Sequence, residues 1–292
     1  IVDFLNARAR ENQWGFVDFN RPMVAINQWE QAADSMYTLC GKDRIHPSTD
    51  GHLVMAYLFL KAQGLAGKPV ADIRIDGAGK KVTRSDNCRV SDLSVSSDNL
   101  TFTYEAKSLP YPIDTSYYDN EKHTQADALS VIPFMDEMNY EGLSVSGLSD
   151  GYYGLTIGGE FIGRFTAREL ERGINMALLQ NTPQYKQAMK IRQMNEERWL
   201  KERKMREFYW VEYNLMRKTG MLWACDEAAV DTLRKYRPHD IFLQWNGDLW
   251  LQYMHKGIRE DCVNEQQNLV DRIYEQNKPI PLRIEIKKFT DL

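Results

Sequence analysis

Cys40-Gly41-Lys42-Asp43-Arg44-Ile45-His46-Pro47-Ser48-Thr49-Asp50-Gly51-His52 sets an acid three residues ahead of a histidine and a proline directly after it. Imidazole exchanges protons near neutrality, and it serves as a base when one ring nitrogen is free and an acceptor holds the other. A spacing of three lets Asp43 be that acceptor across a tight turn. Pro47 fixes its own φ and moves His46 out of the α region, so the histidine belongs to extended or turn backbone. Ser48, Thr49 and Asp50 are all competent helix N-caps. The run Gly51–Gly64, with Leu53, Val54, Ala56, Tyr57, Leu58, Leu60 and Lys61, then reads as a mostly buried helix. The histidine is therefore expected on a loop that a core helix anchors and solvent reaches. Taken alone, an Asp-x-x-His is more often a turn cap beside a surface histidine.

Upstream, Ile1–Asn12 reads as a helix, Gly15-Phe16-Val17-Asp18-Phe19 as a short strand, and Arg21-Pro22-Met23 as the loop leaving it. With the Asp-x-x-His-Pro block and the apolar helix behind it, this segment resembles the C-terminal end of the SGNH (GDSL-type) hydrolases, over residues 1–66. The resemblance implies the last part of a flavodoxin-like α/β sandwich and serine hydrolysis of an ester. It makes His46 the general base and Asp43 the carboxylate that orients it, with no cofactor and no metal. In that family a serine in a Gly-Asp-Ser motif attacks the acyl carbonyl. A glycine and an asparagine from two further blocks complete the oxyanion hole. No Gly-Asp-Ser occurs in these 292 residues, and neither block is recognisable in the 42 residues ahead of Asp43. The N-terminal part of the hydrolase domain is thus expected to lie outside this chain, which alone is expected to be inactive.

Gly147-Leu148-Ser149-Asp150-Gly151 formally matches the Gly-x-Ser-x-Gly nucleophile elbow, which needs a strand before it and a helix after it. Here Leu143–Ser146 precedes it and Tyr152–Ile157 follows, both alternating in the strand manner, with a further Gly158-Gly159 turn signal. The pentapeptide therefore reads as the tip of a β-hairpin, and Ser149 as a turn residue.

A net charge of −4 and the lack of a long basic run argue against non-specific nucleic-acid binding. A hydrophobic fraction of 43% and a charged fraction of 27% are ordinary for a folded domain, and the length allows about two domains. No run of apolar residues is long enough for a transmembrane helix. The first residue is Ile1, with no initiator methionine and no signal peptide, as in a processed or truncated product. Secreted or periplasmic location is implied by the family alone. Cys40, Cys88, Cys225 and Cys262 show no Cys-x-x-Cys spacing. A bridge from Cys40 would stiffen the Asp43–His46 loop, while free buried thiols are the equal alternative.

Residues 67–180 read as a β-rich appendage. Val70–Ile75, Arg89–Val95 and Leu100–Tyr104 alternate between Gly, Asp and Asn turns, and Lys107–Thr124, with three tyrosines and His123, is an irregular loop. Thr166 is placed to cap a helix. This stretch, with Asn181-Thr182-Pro183 after it, is similar to the appendage behind the Asp-His block in a bacterial subgroup of SGNH proteins. Residues 181–292 read as mainly helical. Pro183 opens a helix expected to run to about Lys218, carrying the i,i+4 pairs Glu197/Lys201 and Glu202/Arg206. Met205, Phe208, Tyr209, Leu215 and Met216 form its apolar stripe, expected to clasp the hydrolase; no strict heptad fixes an oligomeric state. Phe242, Trp245, Trp250 and Tyr253 gather around Asn246-Gly247, read as a turn where aromatics either bury themselves or stack on sugars. His239 and His255 show no ligand spacing. Leu282–Lys287 alternates as an edge strand.

The expected fold is thus α/β, the C-terminal end of a flavodoxin-like sandwich followed by a small β domain and long helices. The expected function is the Asp-His half of a serine ester hydrolase acting on a small-molecule or carbohydrate ester. The alternatives are a non-catalytic interaction or carbohydrate-binding protein with a degenerate Asp-His block, or an enzyme using Ser149.

Overall fold

Helix α1 (Val2–Asn12) and helix α2 (Asn20–Glu30) open the chain in the computed structural model, which describes residues 1–116 and 123–289. The strand expected over Gly15–Phe19 does not form, and Arg21-Pro22-Met23 is helix rather than loop. Two physical reasons account for this. No strand in the described residues pairs with 15–19, so its backbone groups have no ladder. Pro22 stands in the first turn of α2, where its missing N–H is no loss, and Asp18 Oδ1 accepts the Arg21 N–H at 3.1 Å.

Helix α3 (Thr49–Ala62) begins one residue after Ser48, whose backbone is still extended at φ −74° and ψ 176°. It buries Leu53, Val54 and Tyr57 against Leu39, Ile132, Phe134 and Met135. Burial of side chains of this size contributes roughly 1.5–3 kcal/mol each, which makes α3 the anchor of the preceding loop. Gly51 is required there, because a Cβ at this position would collide with the Leu39 carbonyl.

Two sheets follow. The strands are β1 (Ala71–Asp76), β2 (Lys81–Asp86), β3 (Cys88–Val95) and β4 (Asn99–Ala106). After the 3-10 turn Gln125–Ser130 and the short helix α4 (Phe134–Glu137) come β5 (Glu141–Ser146), β6 (Tyr152–Ile157) and β7 (Glu160–Thr166). Helix α5 (Ala167–Arg172), the two-residue β8 (Ile174–Asn175) and the C-terminal β9 (Leu282–Lys288) complete this set. One sheet has the order β2-β1-β5-β8, with β1 and β5 parallel; the other, β3-β4-β9-β6-β7, pairs antiparallel throughout. Ile73 and Val145 from the first sheet share one core with Phe102, Leu155 and Ile284 from the second. Thr166 caps α5 through a capping box with Glu169, as its position suggested.

Two strand expectations change. Gly147–Gly151 is not a hairpin tip: β5 and β6 lie in different sheets, and the pentapeptide carries the chain between them. The hairpin is β6–β7, turned by Gly158 (φ +59°) and Gly159 (φ +85°), which supply the two positive φ values that such a two-residue turn needs. Leu282–Lys288 is an inner strand, hydrogen-bonded to β4 on one side and β6 on the other. Within the loop expected at 107–124, residues 117–122 lie outside the described residues.

The chain divides into two compact units, 1–186 with 279–292, and 187–278. The second holds helix α6 (Pro183–Val211) from residue 187 on, a π-helical turn over Glu212–Met216, α7 (Glu227–Tyr236), α8 (Ile241–Tyr253) and α9 (Lys256–Gln276). Phe208, Val211, Met216, Leu233, Leu243 and Trp250 form its core. Asn246 and Gly247 lie inside α8, whose first turn is capped by Asp240 Oδ1 accepting from the Phe242 and Leu243 N–H groups at 2.8 and 3.2 Å. Trp250 and Tyr253 are consequently core residues, while Phe242 and Trp245 stay exposed. The architecture is mixed α/β, with two sheets and long C-terminal helices.

Candidate active site

Residues 39–48 form a closed loop. Ser48 N–H donates to the Leu39 carbonyl at 3.0 Å, Gly41 N–H to the His46 carbonyl at 2.7 Å, and Arg44 N–H to the Gly41 carbonyl at 2.9 Å. Cys40 and Pro47 face each other as an antiparallel bridge. Arg44 takes a left-handed φ of 56°, which turns the chain at the loop tip.

Asp43 uses both oxygens within this loop. Oδ1 accepts the backbone N–H groups of Ile45 and His46 at 2.9 and 3.1 Å, and Oδ2 lies 2.5 Å from His46 Nδ1. The His46 side-chain bond, followed by these two backbone bonds, holds the Asp43 carboxyl down at about 2. With an ionised acceptor on Nδ1, the neutral ring keeps its proton there and presents the Nε2 lone pair. The His46 side chain is 83% exposed, so Nε2 is open to a partner. The pair expected from the spacing is therefore brought together, oriented and accessible.

Below the loop lies a second group that the sequence marked only as candidate caps. Ser48 and Asp50 are buried; Ser48 Oγ donates to Asp50 Oδ1, which also accepts the Gly51 N–H at 2.8 Å. Asp50 Oδ2 makes no hydrogen bond among the described residues and stands 3.8 Å from His123 Nδ1, whose ring meets Tyr37 edge-on at 5.9 Å. Burial first, and the Asp50 charge next, push the Tyr37 hydroxyl up to about 12. This link spans from residue 50 to residue 123, and no local pattern announces it.

Ser149 is exposed and accepts from Lys288 Nζ at 2.8 Å, with Tyr153 Oη at 3.1 Å. No histidine serves it, and its segment is followed by a strand, so the elbow geometry is absent. Cys40, Cys88, Cys225 and Cys262 are all free thiols, and no bridge ties Cys40. His239 and His255 are exposed. Among the described residues, no group of three or more His, Cys, Asp or Glu stands close enough to hold a metal ion. No helix among them is long and apolar enough to cross a membrane.

Residues 189–278 match the family model described as the diltiazem deacetylase C-terminal helical domain. No curated protein matches the chain. The solved structure of BT4096, a gut microbial diltiazem-metabolizing enzyme, is similar over 99% of this chain, with a TM-score of 0.92 and 42% sequence identity. The chain spans 65% of that structure's length, just under two thirds.

Proposed function

We propose that this chain carries the acid–base half of an SGNH-type serine ester hydrolase, whose nucleophile and oxyanion hole are supplied by residues outside it. The observation that carries the proposal is Asp43 Oδ2 at 2.5 Å from His46 Nδ1 with the rest of the imidazole exposed. Two findings support it. The similar structure belongs to a drug-metabolizing enzyme, of whose length this chain covers 65%. The family description matched by 189–278 names a deacetylase, so acetyl is the acyl group we assign.

In this scheme a serine hydroxyl attacks the acetyl carbonyl while His46 Nε2 takes its proton. Asp43 holds the ring and stabilises the imidazolium. The tetrahedral oxyanion collapses, the C–O bond to the alcohol breaks, and His46 returns the proton to the departing oxygen. Water then repeats the sequence on the acetyl-serine, with His46 again the base. Asp43 remains a carboxylate throughout, because its hydrogen bonds favour the charged form.

The test is labelling of the full-length protein by a serine-directed fluorophosphonate. Labelling in the parent and its loss in His46→Ala support the scheme; equal labelling of the His46→Ala protein removes it.

A further inference from the structure

Helices α6 and α9 border a shallow groove of about 630 Å³ in the 187–278 unit, lined among others by Met205, Tyr209, Trp223, Gly257, Asp261 and Asn264. That volume lies within the range of roughly 300–1,000 Å³ common for small-ligand sites. Trp223 is the unusual member. Its φ is +66°, a left-handed backbone that bulky side chains rarely adopt and that costs on the order of 1–3 kcal/mol. The structure enforces it: Trp223 N–H donates at 2.9 Å to Oε2 of the buried Glu212, whose Oε1 accepts Trp250 Nε1 at 2.8 Å. Glu212 itself opens the π-helical turn, a distortion frequent at functional sites. The indole is 46% exposed and lies stacked on the core ring of Phe208, with ring centres 6.4 Å apart. Tyr209 and Tyr213 brace it edge-on, each with its ring centre 6.0 Å away.

The polar lining narrows the ligand. Lys256 is paired with Glu260 at 3.2 Å, and Arg259 donates to the Tyr253 and Met254 carbonyls at 2.6 and 2.7 Å, so both cations are engaged. Asp261 and Asn264, three apart on one face of α9, make no side-chain hydrogen bond to the protein among the described residues. An anion meets Asp261 and no free cation, and a purely apolar ligand leaves the carboxylate and the amide unused. A sugar ring satisfies both demands, its C–H face lying on the indole and its hydroxyls bonding a carboxylate and an amide. At Gly257 the groove is open, with nothing within 4 Å of where a Cβ would stand.

We infer that the helical unit holds a binding site for neutral carbohydrate, with Trp223 as its stacking platform and Asp261 and Asn264 as its hydroxyl partners. The inference does not depend on the esterase reading, since it concerns residues of a different unit and a binding event rather than a reaction.

Isothermal titration of the whole chain with linear hexasaccharides of β-1,4-linked glucose, xylose and mannose tests it, with circular dichroism as the folding control. Trp223→Gly removes the ring while accepting the positive φ, and Gly257→Leu fills the open end of the groove. The expected result is saturable binding of at least one hexasaccharide, weakened about tenfold or more in both variants. Binding of none of the three overturns the inference, as does unchanged affinity in either folded variant. If Trp223→Gly does not fold, Gly257→Leu alone decides.

Discussion

Gly51 stands so close to Leu39 that a Cβ would run into the Leu39 carbonyl oxygen. That carbonyl also accepts the Ser48 N–H at 3.0 Å, so the first turn of α3 and the base of the Asp43–His46 loop close on one point. Within a helix, replacing glycine by alanine ordinarily stabilises by up to about 1 kcal/mol. At this position the sign reverses: we expect Gly51→Ala to destabilise by about 1–3 kcal/mol, the cost of overpacking against backbone. Denaturant unfolding of the pair of proteins checks it, and a more stable variant contradicts the packing described.

Glu141 gives a pH dependence. Its carboxyl is fully buried, Oε1 accepts from Tyr104 Oη at 2.8 Å and Gln184 Nε2 at 3.2 Å, and Oε2 has no hydrogen-bond partner among the described residues. Burial raises its pKa from 4.5 to about 7. A raised folded-state value means that the stabilisation is full below the unfolded value and is lost as pH rises through the folded one. Stability should therefore fall by about 3 kcal/mol between pH 4.5 and 7 from this group alone. Glu141→Gln keeps the shape and removes the ionisation, so its melting temperature should lack this component of the pH slope and exceed the parent's above pH 7. Parallel pH profiles for the two proteins would show that Glu141 does not titrate in this way.

Trp250→Phe leaves Glu212 Oε1 without its donor in a buried site. The expected loss is about 2–4 kcal/mol, because a buried carboxylate is left with an unsatisfied oxygen. Adding Glu212→Gln should recover part of it, a coupling that a double-mutant cycle reads directly.

What the sequence revealed and what it concealed divide along sequence separation. Asp43 and His46 are three residues apart, and Thr49 to Ala62 is one continuous helix, so local spacing and periodicity sufficed for both. Leu282–Lys288 alternates visibly, but its inner position depends on pairing with Asn99–Ala106, far up the chain. Glycine-rich turns mislead for the same reason: Gly147–Gly151 looks like a hairpin tip, yet its flanking strands belong to different sheets. In α2 and α8, Pro22 and Asn246-Gly247 read as breakers, while first-turn placement and the Asp240 cap let the helices form. The Asp50–His123 approach and the Glu212 anchor of Trp223 carry no local signal at all.

In the proposed scheme Asp43 orients His46 as well as shaping the turn. Asp43→Asn should keep the loop fold while losing the acceptor that holds the His46 tautomer, and in the full-length protein we expect kcat to fall by about 10³–10⁴-fold with KM little changed. Acetyl-ester hydrolysis at saturating substrate reads it. An unchanged kcat would mean that Asp43 only shapes the turn.

The proposed assignment of His46 as general base of an acetyl-ester hydrolase is open to direct test. It is met most directly by steady-state hydrolysis of p-nitrophenyl acetate by the full-length protein and its His46→Ala variant. We expect a kcat lower by about 10³-fold or more in the variant, with its fold intact. Full activity in His46→Ala would contradict it.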